Sequence, residues 1–424
     1  MQEKENEQKL KELEEKERYT TYQEELGFEK ELNILRNDFY YQMGGENDSF
    51  LLIDFLYQPL DVLSGDAYTS RRLDEYRTFY LIVDGMGKGL SASLTSMIMT
   101  SFVNHIIDKM IQHDHFDLYL LVHETFEYIK KILLDEEALA IDYILIDREH
   151  NEIYYSKFAM PVMLMQTQNG VLVKLKSNNP PMSKYLEEFK ISQYNIENIE
   201  KFLFYSDGIV ENTTICDGLP YSHFIEDDFS TSFTRKELVD NIFTKLSIQE
   251  DDFTLAFINR VDFNEGEIIA QKSFATTLEA VDEANEWYGA LWEGLCVKQK
   301  VAYQAGLVFT ELYMNAYEHG NLGIDSKRKH YYLQEDIYVD KLLELEKGCD
   351  KKINVVLTKI TNVNSTYIVT KISDEGEGFN TQILSKIFRN SQAFNGRGVF
   401  VSRKNSMGIY YNTKGNTVLF LSKI

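Results

Sequence analysis

Four aspartate-bearing strings punctuate the middle of this chain, each at the end or the start of a short strand-like run. They are SGDAY (Ser64–Tyr68), LIVDGMGKG (Leu81–Gly89), LFYSDGIVEN (Leu203–Asn212) and EDDFTLAFI (Glu250–Ile258). Gathering carboxylates at strand ends constrains a fold strongly, because like charges raise each other's pKa and oppose burial. Such a cluster becomes favourable when a divalent cation neutralises it. Hard oxygen ligands with no His or Cys nearby favour Mg2+ or Mn2+ over Zn2+. Two such ions about 4 Å apart can activate water and stabilise the leaving oxygen in phosphoryl hydrolysis. Gly85 and Gly208 directly follow two of the aspartates, allowing a tight turn and a backbone carbonyl aimed at a metal. A lone Asp-Gly at a strand end is equally a turn. The inference rests on all four strings in this order.

The chain has 424 residues, which at about 150 residues per domain predicts two or three domains. With 44% hydrophobic and 26% charged residues it has globular composition. Its net charge of -23 repels phosphate backbones, so neither nucleic acid nor an anionic membrane is an expected partner. No uninterrupted apolar run reaches the ~20 residues of a bilayer span. The start, MQEKENEQKLKELEEKE, is charged and lacks the apolar stretch of a signal peptide. Cys216, Cys296 and Cys349 are scattered and suggest neither a disulfide framework nor a zinc site. A cytoplasmic location is the simplest expectation.

Residues 1–45 read as a helical, coiled-coil-like linker rich in Glu, Lys and Leu. Leu32, Leu35 and Phe39 follow helical spacing, whereas Leu10 and Leu13 fall in another register, so a long perfect coiled coil is not supported. Two readings stand: a solvated helix, or a signalling helix that pairs two chains as a homodimer. The next region carries strand-like runs at Phe50–Tyr57, Thr78–Val83, Ala140–Ile146, Lys201–Tyr205 and Thr254–Asn259, with helical stretches between Leu90 and Leu134 and around Arg235–Leu246. A boundary falls near Asp262–Glu267. Beyond it the order is helix, helix, strand, strand, short helices, strand, strand, with a charged insert between Asn321 and Lys352 that reads as a solvated excursion.

The strings QPLDVLSGDAY, VDGMGKGLSAS, FYSDGIVE and DDFT resemble the SpoIIE/RsbU-type serine phosphatases of the metal-dependent PPM family. The resemblance implies a PPM domain over residues 46–263, a β-sandwich flanked by helices with a two-metal Mn2+ or Mg2+ centre at one end. It implies that Asp84 is the catalytic residue bridging both metals, assisted by the Gly85 carbonyl. Asp66, Asp207 and Asp251 are implied ligands, directly or through water, with Asp252 a weaker candidate. Lys88 stands where relatives carry histidine, and their Asn-Ala-Gly-His loop is reduced to Ser156–Pro161.

The last third carries FTELYMNAYEHGN (Phe309–Asn321), ISDEGEGF (Ile372–Phe379), FNGRGVFVSR (Phe394–Arg403) and YNTKGNTVLFL (Tyr411–Leu421). Glu311, Asn315 and Glu318 or His319 recur at helical spacing on one face. An asparagine offers an oxygen to Mg2+, and a glutamate one turn earlier can serve as general base. Asp374 could accept a hydrogen bond from an adenine amino group, and Gly376 and Gly378 let backbone pass close to a nucleotide. Gly396 and Gly398 open a helix whose N-terminal amides favour phosphate. No Walker loop is present.

These strings resemble the GHKL (Bergerat) ATPases, and among them the RsbW/SpoIIAB-type serine kinases that act as anti-sigma factors. That implies an α/β sandwich over residues 264–424 holding ATP with Mg2+. By the resemblance Glu311 is the catalytic base, Asn315 holds the metal, and Asp374 reads adenine. Gly376, Gly378, Gly396, Arg397 and Gly398 surround the phosphates, and Thr417 closes the adenine pocket.

The expected fold class is therefore α+β, layered, with two domains behind an N-terminal helix. A phosphatase and a kinase on one chain imply opposing reactions on one substrate. In the resembled systems that substrate is a serine of a STAS-domain anti-sigma factor antagonist. The alternative is a phosphatase whose ATP-binding domain binds a sigma factor or acts allosterically, without kinase activity.

Overall fold

A computed structural model describes residues 26–424 except 28, 32, 39–41, 44–48, 61–62, 87–88, 216–217, 263–265, 363–364, 382 and 385–396. Among the described residues the strands form three sheets. Two of them face each other in the first half. One runs β10(Ser192–Asn195)-β6(Glu152–Phe158)-β5(Ala138–Asp147)-β4(Arg77–Gly85)-β3(Asp66–Arg72), with β9(Met182–Ser183) beside β5. The other runs β2(Ser49–Gln58)-β12(Phe253–Asp262)-β11(Ile199–Tyr205)-β7(Met163–Thr167)-β8(Leu172–Leu175).

Alternation of side chains along each strand builds the layers. On β11, Phe202 and Phe204 point into the space between the sheets, while Leu203 and Tyr205 point outward. On β12, Ala256 and Ile258 face inward and Leu255 and Phe257 outward. Both faces are apolar because helices cover the outer ones. Phe55 stacks on Tyr68 at 5.5 Å and Tyr80 meets Phe204 at 5.6 Å, joining the two sheets through aromatic contacts. Helices α1(Leu90–Gln112) and α2(Leu118–Ile129) cover the outer side of the β4 sheet. The short α3(Asp207–Glu211) follows β11, and α4(Ile225–Thr231) and α5(Arg235–Lys245) cover the other sheet through Phe229, Leu238 and Ile242. Among the described residues α1 is the one helix long and apolar enough to cross a membrane, and Met99, Val103 and Ile107 bury its apolar side in the core.

The third sheet has the order β1(Gln42–Met43)-β16(Gly408–Asn412)-β17(Thr417–Lys423)-β15(Ser365–Asp374)-β14(Lys352–Asn362)-β13(Glu267–Ala275). Helices α6(Leu278–Gly294) and α7(Gln299–Asn315) pack on it, with Tyr288 stacked on Phe309 at 4.0 Å and its hydroxyl 3.0 Å from Thr370 Oγ1. A π-helical turn, Ala316–Asn321, continues α7, and α10(Arg397–Asn405) precedes β16.

Two expectations change. The stretch read as helical over residues 1–45 is helical at 26–34 where described, and then leaves the helix, with Asn37 bridging to Ser70. The Asp38 carboxylate draws the chain out of the helix by accepting from Arg71 Nε at 3.1 Å and Arg72 N at 3.0 Å. Residues 1–25 lie outside the described residues. The Asn321–Lys352 insert folds as two helices, α8(Ser326–Gln334) and α9(Tyr338–Glu346), largely exposed as a solvated excursion would be, with Leu342 the one buried residue of the two helices. Lys329 and Tyr338 from this insert bond the Glu318 carboxylate, which is only 2% exposed. Glu318 and His319 therefore do not extend the Glu311–Asn315 face, because the wider π-turn rotates them off the α-helical register.

Lys157 and Asp142 stand directly opposite each other on β6 and β5, both fully buried, with Lys157 Nζ 2.6 Å from each carboxylate oxygen. Burial raises the Asp142 carboxyl and lowers the Lys157 amine. Breaking such a pair from one side leaves an uncompensated charge. Lys157→Met should cost about 3–5 kcal/mol of stability in a urea titration, and adding Asp142→Leu should recover most of it.

Candidate functional site

Asp66 opens β3 and Asp84 lies near the end of β4. The register sets them directly opposite each other, so both carboxyls leave the same face of the sheet. Asp207 opens α3 just past the end of β11, and Asp251 lies just before β12. Pairing of Tyr205 with Leu255, and a bond from Ser206 N to Thr254 O at 2.9 Å, brings those two segments side by side. The four acids predicted from separate strings thus meet at one end of the sandwich.

Their electrostatics are unfavourable as they stand. Burial holds Asp66 well above the ordinary carboxylate range; the Thr254 and Ser206 hydroxyls that face it pull the other way, and Asp252 and Asp207 add to the push. Asp84 is raised too, first by burial, then by the charge of Asp66 and a hydrogen bond with Asp207. Oδ2 of Asp66 and Oδ2 of Asp84 are buried without a hydrogen-bond partner. Orphaned acceptors on crowded acids call for a positive group, and an all-oxygen donor set fits Mg2+ or Mn2+. Among the described residues no three acidic side chains already stand at ion-holding spacing; they meet in pairs, Asp66 with Asp84 and Asp84 with Asp207.

Gly85 donates its N–H to Gly65 O at 3.2 Å, which ties the two acid-bearing strand ends together. Asp252 has a different task from the one expected. Its carboxylate accepts from Leu60 N at 2.7 Å and Gly65 N at 2.6 Å, closing the loop that delivers Asp66. That use was invisible in the sequence, which marked Asp252 only as a weaker ligand candidate than Asp251. Lys88 lies outside the described residues.

The second set gathers on the C-terminal sheet. Glu311 and Asn315 are one turn apart on α7 and half-buried. Burial raises the Glu311 carboxyl, while Lys329 opposes the shift. Gly398 lies against it so closely that a Cβ there would stand 1.5 Å from Glu311 Oε1, so only glycine lets the start of α10 rest on this carboxyl. Asp374 ends β15, accepts from Gly376 N at 2.8 Å, and is pushed up to about 6 by burial. Gly378 has φ 78 and abuts the Lys414 carbonyl, so the glycine-rich string packs against the chain's own backbone. The Thr417 hydroxyl lies 3.1 Å from Ser373 Oγ. Buried Tyr411 feels the charges of both Glu311 and Asp374, so the two acids flank one region. Gly396 and the side chain of Arg397 lie outside the described residues.

Two residues that sequence reasoning missed hold this region in shape. Asn321 donates to Thr276 Oγ1 at 2.7 Å and accepts from Glu375 N at 2.8 Å, fixing the segment after Asp374. Asn412 Oδ1 accepts from the amides of Gly415, Asn416 and Thr417 at 2.8, 3.0 and 3.1 Å, shaping the turn into β17. The GNT string signalled a turn there, but not its organiser.

Residues 74–261 match the family model described as stage II sporulation protein E (SpoIIE). The phosphoserine phosphatase RsbP of Bacillus subtilis is 28% identical over 172 residues, which cover 39% of this chain and 41% of that protein. The chain thus spans less than half the length of this curated relative. Among solved structures, the RsbU and RsbW domains of Rv1364c from Mycobacterium tuberculosis align with 92% of this chain and 96% of theirs, at 13% identity and a TM-score of 0.42. The SiaA-PP2C domain of Pseudomonas aeruginosa aligns with 49% of this chain and 85% of its own, at 16% identity and a TM-score of 0.42. The match to the SpoIIE family model thus falls on the part of the chain that carries Asp84, Asp207 and Asp251.

The crowding of acids has a direct consequence for stability. A carboxyl whose folded pKa lies above its unfolded value makes the native state less stable as pH rises past the unfolded pKa. Without metal at neutral pH, Asp84→Asn should therefore raise the melting temperature, by about 2 °C or more. Mn2+ should raise the melting temperature of the wild type and lose most of that effect in the variant. A variant that melts lower than metal-free wild type contradicts the electrostatic account.

Proposed function

We propose that this chain reverses its own chemistry on one serine, removing a phosphate at the first site and restoring it at the second. The observation that carries the first half is the pairing of Asp66 with Asp84, both buried and each with an orphaned oxygen. Asp66, Asp84, Asp207 and Asp251, with the Gly85 carbonyl, would hold two divalent cations. When bound, such ions neutralise the phosphate and supply a nucleophile from water at neutral pH. The chain's own part is to fix these oxygens on two rigid strand ends and to keep the loop from Leu60 to Gly65 closed through Asp252. The SpoIIE-type match and the similarity to a phosphoserine phosphatase support phosphoserine as the group hydrolysed. A STAS-domain anti-sigma factor antagonist is the substrate this reading favours.

For the second half, the domain over residues 264–424 is read as a GHKL-type ATP site. Asp374 would accept from the adenine amino group, Asn315 would hold Mg2+, and the start of α10 at Gly398 would lie at the phosphates. Glu311, its carboxyl raised by burial, takes the serine proton as the γ-phosphoryl group passes from ATP to the serine oxygen. The packing of Gly398 on Glu311 supports this, since it sets the base beside a helix N-terminus suited to anions.

The two halves separate by mutation. Asp84→Ala should reduce hydrolysis of the phosphorylated antagonist beyond the roughly 10–100-fold typical of losing an outer partner of a metal ligand, and spare ATP-dependent transfer. Asn315→Ala should do the reverse. A phosphate-affinity gel run in both directions reads both; hydrolysis that survives Asp84→Ala sinks the first assignment. Asp374 gives a further test. Its carboxylate accepts from adenine more strongly when ionised, so affinity for a fluorescent ATP analogue should fall as pH drops through about 6, and unchanged affinity between about pH 8 and about pH 5 contradicts the role.

A further inference from the structure

The first half of the molecule grips the helix that opens over Glu311. Asp54 sits in the middle of β2 and is 2% exposed. Its carboxylate faces two guanidiniums from different directions: Arg235 Nε at 2.9 Å from Oδ2, and Arg403 Nη2 at 3.3 Å from Oδ1. Arg235 begins α5, and Arg403 lies in the last turn of α10. Arg403 Nη2 also donates to the carbonyl of Phe55, next along β2, at 3.3 Å. The neighbouring Lys236 reaches the same helix from α5, donating to Lys404 O at 2.8 Å and Ser406 O at 3.0 Å. Those are the carbonyls that a helix leaves without partners at its C-terminal end, and a cation there also suits the helix dipole. Burial lowers the Lys236 amine, consistent with a cation taken partly out of water to make this cap.

Helix α10 is thus held at both ends by different parts of the chain. Its start rests on Glu311 through Gly398, and its end is fixed by Asp54, Arg235 and Lys236. A second set of contacts lies nearby but avoids α10. Phe233 stacks on Tyr367 of β15 at 4.7 Å, and Glu237 takes bonds from the Tyr367 hydroxyl and from Lys423 of β17. These contacts fall into two separable sets, one on the sheet and one on the helix.

We infer that Asp54 and Lys236 are positioning residues for the nucleotide site, clasping α10 from the phosphatase-like half so that its N-terminal turn is set over Glu311. This rests on the reading of residues 264–424 as an ATP site. Asp54 is the centre of the clasp because its carboxylate faces both guanidiniums; without it that shared offset is lost and the hold of β2 on α10 is weakened. Nucleotide affinity then depends on residues of the other half, and by linkage nucleotide binding tightens the clasp.

The test uses the full chain and a fluorescent, non-hydrolysable ATP analogue with Mg2+. Three variants are compared: Asp54→Asn, Lys236→Met and Tyr367→Phe, with near-ultraviolet circular dichroism as the check on folding. Asp54→Asn and Lys236→Met should each weaken binding by roughly tenfold, within the ordinary range of coupling between sites. Tyr367→Phe, which loosens the sheet part of the same interface, should leave affinity unchanged. Lys236→Met keeps the test decisive if Asp54→Asn does not fold. Equal weakening in all three overturns the clasp in favour of a general effect of the interface, and no weakening in the folded variants overturns it outright. Wild type that binds no nucleotide removes the ATP reading itself, and the clasp falls with it.

Discussion

Burial of the facing Asp66 and Asp84 carboxyls is the constraint around which the first half is organised. The β3–β4 register sets the two carboxyls face to face, and burial denies them the water that would screen the pair. Strands so placed hold together only because the rest of the sandwich fixes them. Aromatic contacts of Phe55 with Tyr68 and of Tyr80 with Phe204 join the sheets behind the acids, and α1 covers them outside. Asp252 directs both of its oxygens at the backbone of the intervening loop. Unfavourable local electrostatics within a rigid frame is how a site is prepared for a cation that the surrounding chain cannot replace.

Much of this was legible in the sequence, because aspartates at strand ends survive as a pattern even when each string alone is only a turn. The strands with continuous apolar runs were legible for the same reason, since helices on the outer faces make both faces hydrophobic. β13, EIIAQKSFA, was missed because it is a largely exposed edge strand with a polar, mixed pattern. β1 is two residues long and takes its partner, β16, from the far end of the chain. The roles of Asp252, Asn321 and Asn412 were out of reach, because they are defined by hydrogen bonds to distant or irregular backbone. Glu318 looked like a neighbour of Asn315 until the π-turn moved it, and its partners come from an insert whose composition suggested only solvent.

The two halves meet through charge as well as through apolar packing. Asp54 and Glu237, each buried to a large degree, draw cations from the partner half, and Lys236 extends to the end of α10. Such pairs add little net stability once desolvation is counted, but they fix orientation. A helix held at one end by Glu311 and at the other by β2 and α5 joins the two halves mechanically.

The central claim is that the Asp66–Asp84 cluster is built for divalent cations. Calorimetric titration of Mn2+ into the full chain at neutral pH, repeated in buffers of different ionisation enthalpy, tests it most directly. Acids held protonated by burial and by one another must lose protons as the ion enters, so the account predicts saturable binding with net proton release, reduced by Asp84→Asn. Absence of binding, or binding with no proton released, would contradict it.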